Sequence, residues 1–172
     1  LGYTRDAINS YYVFKTLKKE GLIPSHVRFQ VCVPLTYSCL AAFIPDPGDL
    51  EKVVPGFTAA IIAEITEMLK YIPSSELAIQ WDMAIENRLI EVPLNVGNLD
   101  GAKAAAERAA KPAQDICLGI PEEVAIGYHS CYGTLDGWPS RTPPDATGTV
   151  LLLNAVIEAS GRSVEFVHFP TL

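Results

Sequence analysis

His129 and Cys131 are the two residues whose types and spacing point most directly to chemistry. They stand two positions apart at the end of an apolar run, 124–129, that is typical of a strand. Residues i and i+2 of an extended segment point to the same side, so the imidazole and the thiolate can converge on one ion. Both are good zinc ligands, because zinc prefers nitrogen and sulfur donors. An H-x-C pair alone is more often coincidence, and both interpretations stand.

Polar side chains also end the other apolar runs, where parallel α/β folds gather their reactive groups. Asp82 is a candidate substrate or metal ligand, or the N-cap of the next turn. Glu86 could line the mouth of the fold, the region at the C-terminal ends of the strands, although a solvated loop carboxylate is the commoner role for such a residue. His168 lies between apolar residues and is either a ligand or a buried core histidine. With Gln80, which precedes Asp82 on its strand, these residues form the candidate site.

Aromatic residues near these positions are interpreted first as packing residues. Trp81 is assigned to the core, and Trp138, in a loop rich in glycine and proline, to the core or to a lid over the site. Tyr128 and Tyr132 flank the H-x-C segment and could position it by hydrogen bonding. Tyr128 should face away from His129, because neighbouring residues of a strand point to opposite faces.

Four β-rich runs, each separated by a helical pattern, must position these side chains. The predicted strands cover residues 27–33, 77–82, 124–129 and 164–168. The predicted helices run from an N-cap at Thr4 to Gly21, from Phe57 to Ile72, from Gly101 to about Cys117, and from Thr147 to Ser160 before Gly161. Pro112 should kink or split the third helix.

This alternation predicts parallel strands joined by right-handed crossovers, as in an open doubly wound sheet or a (β/α)₈ barrel. A Gly-rich phosphate loop follows none of the predicted strands, which disfavours a dinucleotide-binding sheet. The chain opens Leu-Gly-Tyr-Thr and closes on a strand without a covering helix. We therefore expect residues 1–172 to be the central part of a single parallel TIM-type barrel, incomplete at both ends, with about four βα units. Such a piece should be unstable alone.

Composition narrows the class of protein. With 49% hydrophobic and 19% charged residues, the 172-residue chain is typical of a globular domain. A net charge of −7 argues against a nucleic-acid partner, and no apolar run reaches the length of a membrane span. The four cysteines are scattered without a secretory signal, which favours a reducing cytoplasm. Three of them, Cys32, Cys39 and Cys117, are expected to be small buried hydrophobes.

Two segments carry a family resemblance. Gln80-Trp81-Asp82-Met83-Ala84 resembles the Q-x-D-E-P-A strand end of cobalamin-independent methionine synthase, and His129-Ser130-Cys131-Tyr132 resembles the H-x-C-Y zinc segment of those enzymes. Their order and separation fit the C-terminal catalytic barrel of that family, and Phe29–Pro34 looks like an earlier strand of it. The wider group includes uroporphyrinogen decarboxylase, and the chain looks closest to a divergent branch found in bacteria and fungi.

The resemblance implies a zinc-dependent methyltransferase acting on a small thiol. His129 and Cys131 would be zinc ligands, and Asp82, with Gln80 and Glu86 beside it, would bind the substrate. Zinc would lower the pKa of the substrate thiol, and a folate-type compound would donate the methyl group. Where the family has Glu-Pro after the aspartate, this chain has Met83-Ala84. The family's third ligand, a glutamate, would fall at or near His168, and its fourth, a cysteine, beyond Leu172.

Two other functions compete with the methyltransferase. The chain could be a non-catalytic barrel that serves as a binding or interaction module, or a metal-free relative of the decarboxylases. Zinc content separates the first hypothesis from both alternatives.

Overall fold

The computed structural model of the chain describes residues 1–134, 137 and 142–170. In this part of the chain six α-helices and four strands alternate, with one 3₁₀ turn, Ser74–Glu76, before the second strand. The elements are α1 (Tyr3–Lys19), β1 (Phe29–Pro34), α2 (Thr36–Leu40), α3 (Pro47–Met68), β2 (Leu77–Met83), α4 (Ile85–Leu94), α5 (Leu99–Cys117), β3 (Ala125–Ser130), α6 (Thr147–Ser160) and β4 (Phe166–His168).

The strands form one sheet in the order β1-β2-β3-β4, and every pairing is parallel. The four predicted strands and their parallel alternation with helices are therefore confirmed, with boundaries shifted by one or two residues. Crossovers of this kind are right-handed, so a sheet that grows steadily in one direction carries its helices on one face. The carboxyl ends of all four strands then lie along the same edge.

The two faces of the sheet differ sharply in burial. Leu77, Ile79, Trp81 and Met83 of β2 are at most 1% exposed and belong to a core shared with the helices. Their neighbours on the opposite face are more open, as is seen at Gln80, Asp82, Gln30 and Cys32. Because successive strand residues alternate between faces, one face packs and the other presents polar groups.

The ends of α1 and α6 show how local chemistry sets helix boundaries. Gly161 ends α6 with a left-handed φ of 61°, as predicted. The N-cap predicted at Thr4 is wrong: Gly2 holds that position, and Thr4 lies inside α1. Glu64 of α3 accepts hydrogen bonds from the backbone N–H groups of Gly2 and Thr4, at 2.8 and 2.7 Å. A carboxylate from another helix thus accepts hydrogen bonds from backbone N–H groups that a local N-cap side chain would otherwise satisfy.

Prolines are accommodated inside three of the described helices, α3, α4 and α5. The helix predicted from Phe57 begins at Pro47, after an Asp46 N-cap that accepts from the N–H of Asp49, and it runs through Pro55. Of the two expected effects of Pro112, a kink or a split, the split is wrong, because α5 continues unbroken to Cys117, and the kink stays a prediction. The alanine-rich face of α5 is buried against α4 and α6, and such packing outweighs a local preference.

The short helices α2 and α4 were not predicted. Helices of five and ten residues are marginal in isolation and depend on tertiary contacts, so the sequence alone carries little sign of them. None of the helices in the described ranges is long and apolar enough to cross a bilayer.

Candidate functional site

Three of the predicted site residues lie in one row at the carboxyl edge of the sheet. Asp82 on β2 pairs with His129 on β3, and His129 pairs with His168 on β4. In-register residues of neighbouring parallel strands project to the same face, so the three side chains share the open face. Residues 82, 129 and 168, far apart in the chain, are thus neighbours in the sheet.

The two histidines of this row are in direct contact. Their Nδ1 atoms are 3.0 Å apart and their ring centroids 4.8 Å apart, with the ring planes tilted by 49°. At this distance one Nδ1 donates a hydrogen bond to the other, so at least one ring accepts through an unprotonated Nδ1. His168 is exposed, and its alternative assignment as a buried core histidine is wrong.

The charge state of His129 follows from its surroundings. Partial burial lowers its pKa below the usual 6.5, the negative charge of Asp82 acts in the opposite direction, and His168 lowers the pKa further. The neutral imidazole is therefore favoured at neutral pH. That is the form that binds a metal ion or accepts a proton.

Asp82 belongs to a hydrogen-bonded chain of polar side chains on the open face. Gln80 donates from Nε2 to Asp82 Oδ1 at 2.8 Å, and the same Nε2 lies 3.4 Å from the sulfur of Cys32. Gln30 in turn donates to Gln80 Oε1 at 3.2 Å. Asp82 does not cap α4, so that alternative is wrong: the N-cap is Ala84, with no side-chain cap. Asp82 instead presents a half-buried carboxylate oriented by Gln80.

The cysteines are distributed differently from the prediction. All four are free thiols. Cys117 is buried as expected, but Cys39 is half-buried and Cys32 is exposed on the open face, so the assignment of all three to the core is wrong. Strand alternation explains the difference, because position 32 shares its face with Gln30 and Gln80, and that face is not covered by helices.

Cys131 lies just past β3 and continues its ladder. Its N–H donates to the carbonyl of Met83 at 3.0 Å, and the residue is half-buried. Within residues 1–134, 137 and 142–170, His, Cys, Asp and Glu side chains form no group of three or more that could hold a metal ion. The assignment of Cys131, His129 and His168 as metal ligands therefore stays a prediction.

Glu86 does not have the solvated loop position that was expected. It is completely buried in the first turn of α4, and its carboxylate accepts hydrogen bonds from the N–H of Ser38 at 2.9 Å and interacts with the hydroxyl of Ser38. Burial raises the pKa of Glu86 to about 7, although the hydrogen bonds from Ser38 act against this. Glu86 fastens α4 to the segment after β1, and direct substrate contact stays a prediction.

Two polar residues of this region were assigned no role from the sequence. Ser38 accepts through its hydroxyl from the N–H groups of Ala84 and Ile85, at 2.7 and 3.2 Å, and so caps α4 from another segment. Asn87 donates to Ser130 Oγ and to the carbonyl of Cys131, at 2.6 and 3.1 Å. Ser38 stands among the polar residues that follow the first predicted strand, but a serine there is common, as is an asparagine in a short helix, so the sequence alone gave neither a role.

The aromatic predictions are settled in part. Trp81 is 1% exposed and belongs to the core, as predicted, whereas Trp138 lies outside the described residues. Tyr128 faces away from His129, since its hydroxyl meets Ser160 Oγ on α6 at 2.6 Å.

The chain was also compared with protein-family models, with curated proteins and with solved structures, and no match was found.

Proposed function

We propose that the chain carries a zinc site that prepares a small thiol substrate for methylation, built on strand–helix units of a (β/α)₈ barrel. The proposal rests on the resemblance of residues 80–84 and 129–132 to the methionine synthases. The observation that carries it is the row of Asp82, His129 and His168 at the carboxyl edge of a parallel sheet. In barrel enzymes this edge is where the active site lies.

Strand order supports the barrel over the doubly wound alternative. In a doubly wound sheet the order in which strands are added reverses at the switch point. Two strands that follow one another in the chain are therefore not neighbours in the sheet there. Here the order is β1-β2-β3-β4 without reversal. The open face carries Gln30, Cys32, Gln80 and Asp82, and in a barrel it would be the interior, towards which side chains from alternate positions project.

The separation of the two imidazoles suits a shared zinc ion. Two nitrogens bound at 2.0–2.1 Å in tetrahedral geometry lie about 3.3 Å apart. The Nδ1 atoms of His129 and His168 are 3.0 Å apart, so a small adjustment of the rings would accommodate the ion. Cys131, two residues after His129, would be the third protein ligand. When bound, zinc would coordinate the substrate sulfur and lower its pKa, so that the thiolate is the species available for methylation.

The residues around the ion would bind and orient the substrate. Asp82 would hold the ammonium group of an amino-acid thiol by a charge-assisted hydrogen bond. Gln80 would fix the direction of the Asp82 carboxylate through its bond to Oδ1. Glu86, which is completely buried, would support the mouth through Ser38.

Zinc stoichiometry tests the proposal. The protein should bind one zinc ion, and His129→Ala and Cys131→Ser should each lower zinc content and thiol methylation together. His26→Ala is the matched control, because His26 is exposed and lies in the segment between α1 and β1. Zinc occupancy should also fall as the pH drops, because protons compete for the thiolate and the imidazoles. Unchanged zinc content in both site variants would contradict the proposal.

The direct hydrogen bond between His129 and His168 also favours a metal-free alternative. One ring donates to the other, so a proton could pass between them, with Asp82 nearby to stabilise the positive charge. Such a pair suits proton transfer to a carbanion, as in a decarboxylase-like reaction. Activity that survives complete removal of zinc, and that is lost in His168→Ala, would favour this alternative.

A further inference from the structure

The segment Ser130-Cys131-Tyr132 is held at each of its residues by a buried polar network. Asn87 of α4 donates to the hydroxyl of Ser130 at 2.6 Å and to the carbonyl of Cys131 at 3.1 Å. Thr149 of α6 lies 3.4 Å from Asn87 Oδ1 and 3.3 Å from the hydroxyl of Tyr132. The N–H of Cys131 donates to the carbonyl of Met83 at the end of β2. Three neighbouring elements thus fix three consecutive residues.

The direction of these hydrogen bonds is determined by chemistry. A backbone carbonyl can only accept, so the amide nitrogen of Asn87 must face Cys131, and its oxygen must face Thr149. Thr149 then donates its single hydroxyl proton to Asn87. The hydroxyl of Tyr132 therefore donates to Thr149, and the network runs in one direction from Tyr132 through Thr149 to Asn87.

Burial makes this network costly to break. Asn87 and Ser130 are 0% exposed and Thr149 is 3% exposed, so water does not reach these groups to replace a lost partner. A buried donor or acceptor left without a partner pays its full desolvation cost. Asn87 also stands in the first turn of a ten-residue helix, next to Glu86, which fastens the same turn to Ser38. The Asn87 amide therefore lies on a helical turn that is itself held in place by Glu86 and Ser38.

We propose that Asn87 is a positioning residue that fixes Cys131 at the mouth of the sheet, with Thr149 holding the Asn87 amide in its orientation. The role of Cys131 as a zinc ligand rests on the proposed function. The positioning of Cys131 can be measured without metal, through the reactivity of its thiol. Residues that orient a metal ligand in this way commonly affect affinity about 10- to 100-fold.

The first test measures the reactivity of the Cys131 thiol in the metal-free protein. Iodoacetamide labelling, followed by peptide mapping, reports Cys131 separately from the other three cysteines. Asn87→Ala should speed labelling on the order of tenfold, because a half-buried thiol becomes accessible when its segment opens. Thr149→Val should act in the same direction, and Thr149→Ser, which keeps the hydroxyl, should restore the original rate.

Ser160→Ala is the matched control. Ser160 lies on α6 and bonds to Tyr128 of β3, so the variant removes a buried hydrogen bond from the same interface at a position away from Cys131. It should destabilise the protein and leave the labelling rate of Cys131 unchanged. Equal rates in Ser160→Ala and Thr149→Val would overturn the inference, even if Asn87→Ala fails to fold.

Zinc titration separates this inference from the proposed function. If the protein binds zinc, Asn87→Ala should weaken affinity about 10- to 100-fold while Ser160→Ala does not. If the unaltered protein binds no zinc, the proposed function fails, and the labelling rates alone still decide whether Asn87 positions Cys131. Faster labelling in Asn87→Ala and Thr149→Val supports the positioning role in either case.

Discussion

The two faces of the sheet divide the molecule into a region that stabilises it and a region suited to chemistry. On the covered face, Leu77, Ile79 and Met83 are completely buried against the helices. On the open face, Gln80, Asp82 and their neighbours form hydrogen bonds with one another and remain within reach of solvent. The same six- or seven-residue strands serve both purposes, because their side chains alternate between faces.

Polar residues can thus be concentrated on a strand without disrupting the core. The apolar burial on one side offsets the entropy cost of ordering the strand, and the other side is then free to hold histidines and carboxylates. Substitutions on the two faces should therefore affect different observables.

The largest effect is expected on the covered face. Ile79→Ala should lower the free energy of unfolding by about 2–5 kcal/mol, because it removes a buried side chain and leaves a cavity. Gln80→Ala, one residue away on the open face, should cost no more than about 1 kcal/mol. Denaturant unfolding, followed by the fluorescence of the buried Trp81, measures both. Equal losses would contradict the division between the faces.

The second effect concerns Glu86, a buried carboxylic acid beneath the mouth. Its folded pKa, about 7, lies above the ordinary value of 4.5, so its contribution to stability is fully present below pH 4.5 and lost as the pH rises through 7. The difference amounts to roughly 3 kcal/mol. Glu86→Gln should remove this part of the pH dependence.

Comparison of variants isolates the Glu86 contribution from that of other titrating groups. Glu107→Gln is the control, since Glu107 is an exposed carboxylate on α5. The slope of stability against pH, measured from pH 4 to pH 8, should be the same in the unaltered protein and in Glu107→Gln, and more positive in Glu86→Gln. The same slope in all three proteins would rule out the raised pKa.

A smaller effect is expected where the open face is tightest. A Cβ added at Gly127 would overlap the ring of Phe166 on β4, so Gly127→Ala should displace β4 and cost about 1–3 kcal/mol. The displacement should also separate His168 from His129, which NMR of the imidazole protons can detect. Gly119→Ala has open space around the added carbon and should change neither property. Contact between the histidines that persists in Gly127→Ala would contradict the expectation.

The smallest effect on stability, and the most direct test of the open face, is the titration of His129. Asp82→Asn should lower the pKa of His129 further, because it removes the negative charge that favours the imidazolium. His168→Ala should raise that pKa, because it removes a neighbour that lowers it. NMR titration follows both variants, with the exposed His26 as the internal reference. Shifts of the opposite sign would show that the two groups do not act on His129 through their charge.

Periodicity in the sequence was enough to predict the sheet. Alternating runs at residues 77–82 and 124–129 specify strands, and the helical pattern up to Gly161 specifies α6, because these signals are local. The same local rules allowed a split of α5 at Pro112 that does not occur, since buried contacts along α5 offset the cost of the proline. They also missed α2 and α4, which are too short to form without support.

The sequence by itself determined which chemical groups end the strands: Asp82, His129 and His168 stand at strand ends whatever their neighbours are. Only the tertiary structure decided how these groups pair and how deeply each is buried. From the sequence, Glu86 is expected to be a solvated carboxylate, yet the fold buries it against Ser38 and raises its pKa. Burial and long-range hydrogen bonds depend on segments that lie 40 or more residues apart, as with Ser38 and Glu86, separated by 48 positions. No pattern within a single strand or helix contains that information.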